Sequence, residues 1–272
     1  MSFPWPSPHR ACISITFDNL GEAQDVLTGT WPASKPFGTH PGILSTLPRM
    51  LDTLQKYNIR ATYFAESWSL PHYRETVHQK LLDQGHEVAW HGYQHEVWHA
   101  LSRSQEEENF KKSWELSNAE GVEYKGFRPP GGKVNDRTWT LLKQNGVKYV
   151  SPLGAFGVGK EGVIVLPFEW KAVDAFWYMD TKKFREIRRE LGGEDGLGGV
   201  GDNAEEKFRE SLMQTIDDVV ERGGFLSVLF HPFLTISEER LRVMKDVVQR
   251  ISEDERIWVV PCSEVAGWVE EH

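Results

Sequence analysis

Apolar positions along the chain switch between two periods. Ala11-Cys12-Ile13-Ser14-Ile15-Thr16-Phe17 is a nearly unbroken apolar run of strand length that stops at Asp18. Leu47, Met50, Leu51 and Leu54 instead recur at helical spacing, with Asn58 as the stop signal. The alternation then repeats. Residues 61–65 read as a strand, 72–84 as a helix ended by Gly85, 86–90 as a strand, and a helix opens at Ser104 with Glu107 completing a capping box. Helices over 136–145, 237–251 and 263–270 are interleaved with strand material at 147–150, 163–166, 225–230 and 257–260.

Strands alternating with helices build a parallel sheet or barrel, and about seven such units predict an α/β fold of the deformed (β/α) barrel type. No repeat or long linker interrupts the pattern, so residues 1–272 read as one catalytic domain. Segment 181–210 stands apart. Its charged stretch runs into a glycine-rich one, which predicts an insertion or lid near the barrel mouth. The G-x-G-x-x-G from Gly196 to Gly201 lacks the preceding apolar strand of a dinucleotide site and reads as a plain glycine loop.

Composition narrows the partners. Lys and Arg number 31 against 40 Asp and Glu, a net charge of −9 that argues against nucleic acid or an anionic membrane as partner. Two cysteines are too few for a disulfide scaffold or a zinc–cysteine site and suit a reducing compartment. The first residues show no basic stretch followed by an apolar one, and no window approaches the roughly 18 apolar residues of a membrane span. The expected location is the cytoplasm. Eleven tryptophans offer platforms for sugar rings, although Trp114 and Trp139 read as core, and the Pro- and Trp-rich residues 28–42 are placed to shape a pocket.

In a barrel of this class the chemistry sits where strands end. Polar residues follow the apolar runs at Asp18 and Asn19, at His91 and His95, at Arg128, at Asp174 and at His231. His91 and His95 have an H-x-x-x-H spacing that lets two imidazoles face one metal ion. Together these residues offer metal ligands, a base and an acid.

The same residues carry a resemblance. Thr16-Phe17-Asp18-Asn19 resembles a T-F-D-D motif, His91 and His95 match H-x-x-x-H, Arg128-Pro129-Pro130-Gly131 matches R-x-P, Asp174-Ala175-Phe176-Trp177 resembles D-x-x-W, and Leu229-Phe230-His231 resembles L-x-H. In this order they are the motifs of the NodB-homology polysaccharide deacetylases, carbohydrate esterase family four, which the chain resembles over residues 11–232. His91-Gly92-Tyr93 and His231-Pro232 look most like the intracellular branch, whose members include a cofactor-free allantoinase and cytosolic peptidoglycan deacetylases.

The resemblance implies hydrolysis of a non-peptide C–N amide bond, usually N-deacetylation of a sugar, with a divalent metal such as zinc held by His91, His95 and residue 19. It implies Asp18 as base, His231 as acid, Arg128 orienting Asp18, Asp174 orienting His231, and the Gly131 N–H at the oxyanion. Trp177, Pro130 and Tyr93 would border the substrate, a small molecule or oligosaccharide. A homo-oligomer is expected by analogy alone. Two departures qualify the picture. Asn19 stands where the family carries a metal-binding aspartate, so zinc affinity should fall unless Glu22, Asp25 or another acid substitutes, the site otherwise using the amide itself. Gly131 replaces the family's usual aromatic residue and opens the pocket. The readings rank as metal-dependent amidase, then metal-independent hydrolase of a cyclic amide, then non-catalytic binder.

Overall fold

The computed structural model describes residues 3–192, 201 and 203–272. Its centre is β1 (Ala11–Asp18), whose eight residues are all buried. A strand covered on both faces needs apolar side chains throughout, which is why this run does not alternate. Its hydroxyls find partners on neighbouring chain: Ser14 Oγ donates to the Val260 carbonyl at 2.7 Å and Thr16 Oγ1 to the Val228 carbonyl at 3.0 Å.

Among the described residues the further strands are β2 (Thr62–Ala65), β3 (Glu87–Trp90), β4 (Gly126–Phe127), β5 (Tyr149–Val150), β6 (Gly157–Val158), β7 (Ile164–Val165), β8 (Phe225–Phe230) and β9 (Ile257–Val259). They hydrogen-bond in the order β6-β7-β5-β4-β3-β2-β1-β8, with β9 also paired to β1. Each pairing is parallel except β6 with β7. The curled sheet with its flanking helices is a half-barrel of the predicted (β/α) class. The antiparallel β6 is new, because a two-residue return at Gly157-Val158 has no apolar run to announce it. A parallel bridge between Val173 and Leu229 sets residue 173 beside β8.

β1 divides one of its edges between two strands. β2 pairs with it at Thr16–Asp18 and β9 at Ala11–Ile13, while β8 follows the other edge from Cys12 to Phe17.

Several helix boundaries differ from expectation. The capping box is Ser102 with Gln105, opening helix Arg103–Ala119, because Glu107 turns outward to pair with Arg103 at 2.9 Å. Residues 72–84 form a wide turn, Thr76–Leu81, and a tight one, Leu82–Gln84, which still bury Val77 and Leu81 and end at Gly85 with φ 77°. The described part of segment 181–210 is largely helical, in Lys182–Gly192 and the start of Ala204–Arg222. The latter buries Phe208, Leu212, Ile216, Val219 and Val220, a four-residue apolar rhythm that the sequence reading passes over. Residues 193–200 and 202, which hold most of the glycine loop, lie outside the described residues. Among the described residues no helix is long and apolar enough to cross a membrane.

Candidate active site

The C-terminal ends of the parallel strands meet at one end of the half-barrel, and most of them carry a polar residue there. Asp18 ends β1, and Glu66, His91, Arg128, Ser151 and His231 directly follow β2, β3, β4, β5 and β8. The sheet still grips three of them through its ladder. The His91 N–H donates to Ala65 O at 2.9 Å, the Arg128 N–H to Trp90 O at 2.9 Å and the Ser151 N–H to Phe127 O at 2.7 Å. Strand register therefore aims these side chains, which gives a precision that loops do not.

Arg128 lies in the middle of the barrel with 1% of its surface exposed. Its guanidinium donates to Asp18 Oδ1 at 2.8 Å, Thr16 Oγ1 at 3.0 Å, Ser227 Oγ at 2.8 Å and, from two nitrogens, Ser151 Oγ at 3.0 and 3.1 Å. The Phe64 ring covers one face at 4.0 Å. A buried cation is tolerable only when paired and fully hydrogen-bonded, and this one is. Burial pushes the Asp18 carboxyl up, but Arg128, helped by His91 and His231, holds it below the ordinary aspartate value. Asp18 Oδ2 remains turned toward His91 Nε2 at 3.6 Å.

Opposite stands His231. The bridge from Val173 to Leu229 brings Asp174, first residue of the short helix Asp174–Tyr178, beside the end of β8. Asp174 accepts twice from His231, from its backbone N–H at 2.7 Å and at Nδ1 at 2.5 Å. Burial alone lowers the imidazole pKa, yet the charge and hydrogen bond of Asp174 lift it above the ordinary histidine value. The bonded Nδ1 leaves Nε2 as the free ring nitrogen.

The histidine pair is neutral. His91 is pushed below its ordinary value by burial, and His95 to about 3 by burial and the nearby His91. His91 Nδ1 is bonded to Arg128 O at 2.8 Å, which again leaves Nε2 free. The third member of this cluster is Glu66. Its carboxylate and the nitrogens of His91 and His95 place ligand atoms within 4.8 Å of one another. Two neutral imidazoles and one carboxylate are a donor set that suits a divalent cation.

Asn19 lines the same cavity as the two histidines, and its amide meets Glu66. Its amide Nδ2 donates to Glu66 Oε1 at 2.7 Å, and the Leu20 N–H donates to Glu66 Oε2 at 2.8 Å. Glu22 is engaged by Tyr73 Oη and the Gly38 N–H, and Asp25 by Thr30, so neither joins the histidines. Burial pushes Glu66 up to about 8 against the pull of those donors. The strand-end rule points to Glu66 after the run at 61–65, and the sequence reading passes it over.

Asp18, His91, His95, Arg128, Gly131 and His231 all line one cavity of about 240 Å³, together with Asn19. Much of its remaining wall is apolar and aromatic, with Phe168, Trp170, Phe184 and Phe233 on it beside the polar Gln24, Thr181 and Lys183. Trp177 is not. It is buried against Phe208 with its indole N–H on Lys171 O at 3.0 Å, so it supports the wall from behind. Pro130 and Tyr93 also lie off the cavity lining, where Pro129 and Gly131 stand instead. Gly131 has φ 78°, a conformation that favours glycine, and Lys183 Nζ lies 3.5 Å from where a Cβ would stand. Lys183 and Phe184 bring the start of segment 181–210 to the cavity. Residues 28–42 do not reach it, and Phe37 packs on Trp68 and His72.

Known proteins share this architecture. A polysaccharide deacetylase homologue from Mycobacterium smegmatis superposes with a TM-score of 0.81 at 24% identity, over 99% of this chain and 93% of that one. The Puue allantoinase superposes with a TM-score of 0.75 at 18% identity, over 98% and 93%. These likenesses establish a common fold. In sequence, the peptidoglycan deacetylase of Helicobacter pylori is 36% identical over 104 residues, 38% of this chain and 35% of that protein. Chitin deacetylase 1 of Saccharomyces cerevisiae is 27% identical over 151 residues, 54% and 48%. The chain thus spans less than half the length of these curated relatives. The family model described as polysaccharide deacetylase matches residues 7–150, more than half of the chain. By that match, and by the fold it shares along nearly its whole length, the chain belongs to the polysaccharide deacetylase family.

Proposed function

We propose that this protein hydrolyses a non-peptide C–N amide bond, removing an N-acetyl group from an N-acetylated sugar or a related small molecule. The observation that carries this reading is a pair of oppositely tuned groups on one cavity. Arg128 holds the Asp18 carboxyl below the ordinary aspartate value, and Asp174 lifts the His231 imidazole above the ordinary histidine value. A base and an acid whose surroundings drive their proton affinities apart are what amide hydrolysis needs, because the attacking water must lose a proton and the departing nitrogen must gain one. Deacetylase activity in the relatives' names supports the same class.

Asp18, through Oδ2, takes the proton of a water whose oxygen adds to the carbonyl carbon. The C–N bond then breaks, the nitrogen takes the proton from His231 Nε2, and acetate and a free amine leave. The Gly131 N–H faces the developing oxyanion. His91, His95 and a neighbouring carboxylate would hold a divalent cation, with zinc as the expected ion, and that ion would supply Lewis acidity toward the carbonyl and the water. Trp170 and the phenylalanines on the wall give a sugar ring an apolar face to lie on. The free, buried Cys12 and Cys262 support a reducing compartment such as the cytoplasm. Residues 1–272 would act as one catalytic domain.

The test is acetate release from N-acetylglucosamine oligomers by native protein, with and without a chelator. Chelator-sensitive release that Asp18→Asn and His231→Ala abolish is expected. Chelator-insensitive opening of a cyclic amide selects the metal-independent reading, and saturable binding without turnover selects a binder.

A further inference from the structure

Glu66 carries a carboxyl group with no exposed surface, met by two N–H donors, and no Lys, Arg or His forms an ion pair with it among the described residues. A buried carboxyl without a counter-charge is costly to ionise, and His91 and His95 place ring nitrogens within 4.8 Å of it, so a cation held by all three would supply the missing charge. We infer that Glu66, not residue 19, is the anionic ligand of the metal site, and that Asn19 is the positioning residue that aims it. This rests on the metal-dependent reading above.

The contact between the two side chains carries the argument. Asn19 Nδ2 is 2.7 Å from Glu66 Oε1, so the tips of residues 19 and 66 reach the same point from two adjacent strands. An acid at position 19 would set its oxygen beside that of Glu66, and two carboxylates so close repel unless one takes a proton. The chain carries one acid and one amide there. The amide donates to the acid, as the Leu20 N–H does on the other oxygen. Each carboxylate oxygen keeps a further lone pair for a cation. Ligating carboxylates are held by hydrogen bonds of this kind, which fix their orientation and tune their basicity. The anionic ligand has thus moved from the end of β1 to the end of β2, with the site's net charge preserved.

The experiment is zinc binding by the whole, metal-stripped protein, measured by competition with a chromogenic chelator, beside the visible spectrum of the cobalt-loaded protein. Glu66→Gln should weaken zinc binding about 100-fold or more and change the cobalt spectrum, and Asn19→Ala should weaken it by about tenfold, the scale of an orienting partner. The exchange Asn19→Asp with Glu66→Gln keeps the side-chain hydrogen bond in reverse and should recover affinity to within about tenfold. Urea midpoints of the stripped proteins check that each variant folds. Zinc binding by Glu66→Gln within threefold of the native protein, with the same cobalt spectrum, overturns this assignment and leaves the metal-dependent reading intact. A loss that the exchange fails to recover gives Glu66 a structural role and overturns it too. Native protein that binds no zinc overturns both.

Discussion

The bond between Asp174 and His231 makes a testable claim on stability as well as activity. Asp174→Asn keeps the size of the side chain but offers one acceptor where the carboxylate offers two. It therefore turns an NH₂ group toward the His231 backbone N–H or toward Nδ1, which in the native protein donate to Asp174 at 2.7 and 2.5 Å. Both groups are buried, so water does not replace the lost partner. A charge-assisted hydrogen bond contributes roughly 1.5–3 kcal/mol, and removing one partner of a buried ion pair costs about 3–5 kcal/mol, so a loss of about 3–5 kcal/mol at pH 6 is expected. The pH dependence fixes the sign. The His231 pKa is raised in the folded protein, so the contribution of the pair is fully present below the ordinary histidine pKa and fades as pH rises through the raised one. Urea unfolding of both proteins at pH 6 and pH 9, compared at constant m-value, should show a stability gap that is smaller at pH 9. A gap under about 1 kcal/mol at pH 6, or one that grows with pH, refutes the reasoning.

Other expectations are simpler to state. Asp18→Asn should lower kcat about 10²–10⁴-fold with a near-native urea midpoint, because the base is lost while the amide still accepts from Arg128. Gly126→Ala should destabilise by about 1–3 kcal/mol in urea, since a Cβ there would lie 1.9 Å from the Tyr149 ring. Trp170→Ala should raise KM for an N-acetylated sugar with a much smaller change in kcat, as measured by acetate release, because the indole lines the wall and lies outside the acid–base pair.

Much of the fold was legible because a buried parallel strand writes itself as a continuous apolar run, and β1, β2, β3 and β8 each do so. Asp18, His91 and His231 follow from looking where those runs stop, and Arg128 from its R-x-P motif. Glu66 obeys the same rule but belongs to no recognised motif. Its meaning arises only when the ends of β1 and β2 lie side by side, 47 residues apart in sequence. Trp177 misled for the opposite reason: its motif is clear, yet its indole faces helix Ala204–Arg222, which the glycine-rich stretch before it had obscured. Two-residue strands such as β4 and β6 have too few positions to show any period.

The shared edge of β1 has a consequence for how the chain is made. Among the described strands β1 leaves the ribosome before the others, and β2 can join its upper half early. Its lower half waits for β9, and its entire opposite edge for β8, more than 200 residues later. Until then a strand that is wholly buried in the finished fold presents unpaired N–H and C=O groups, which is how newly made chains come to aggregate. Pairings of such separation also slow folding, since a long loop must close before any contact rewards it. A chain released after helix Ala204–Arg222 therefore owns most of its active-site residues and lacks the two strands that seal its centre.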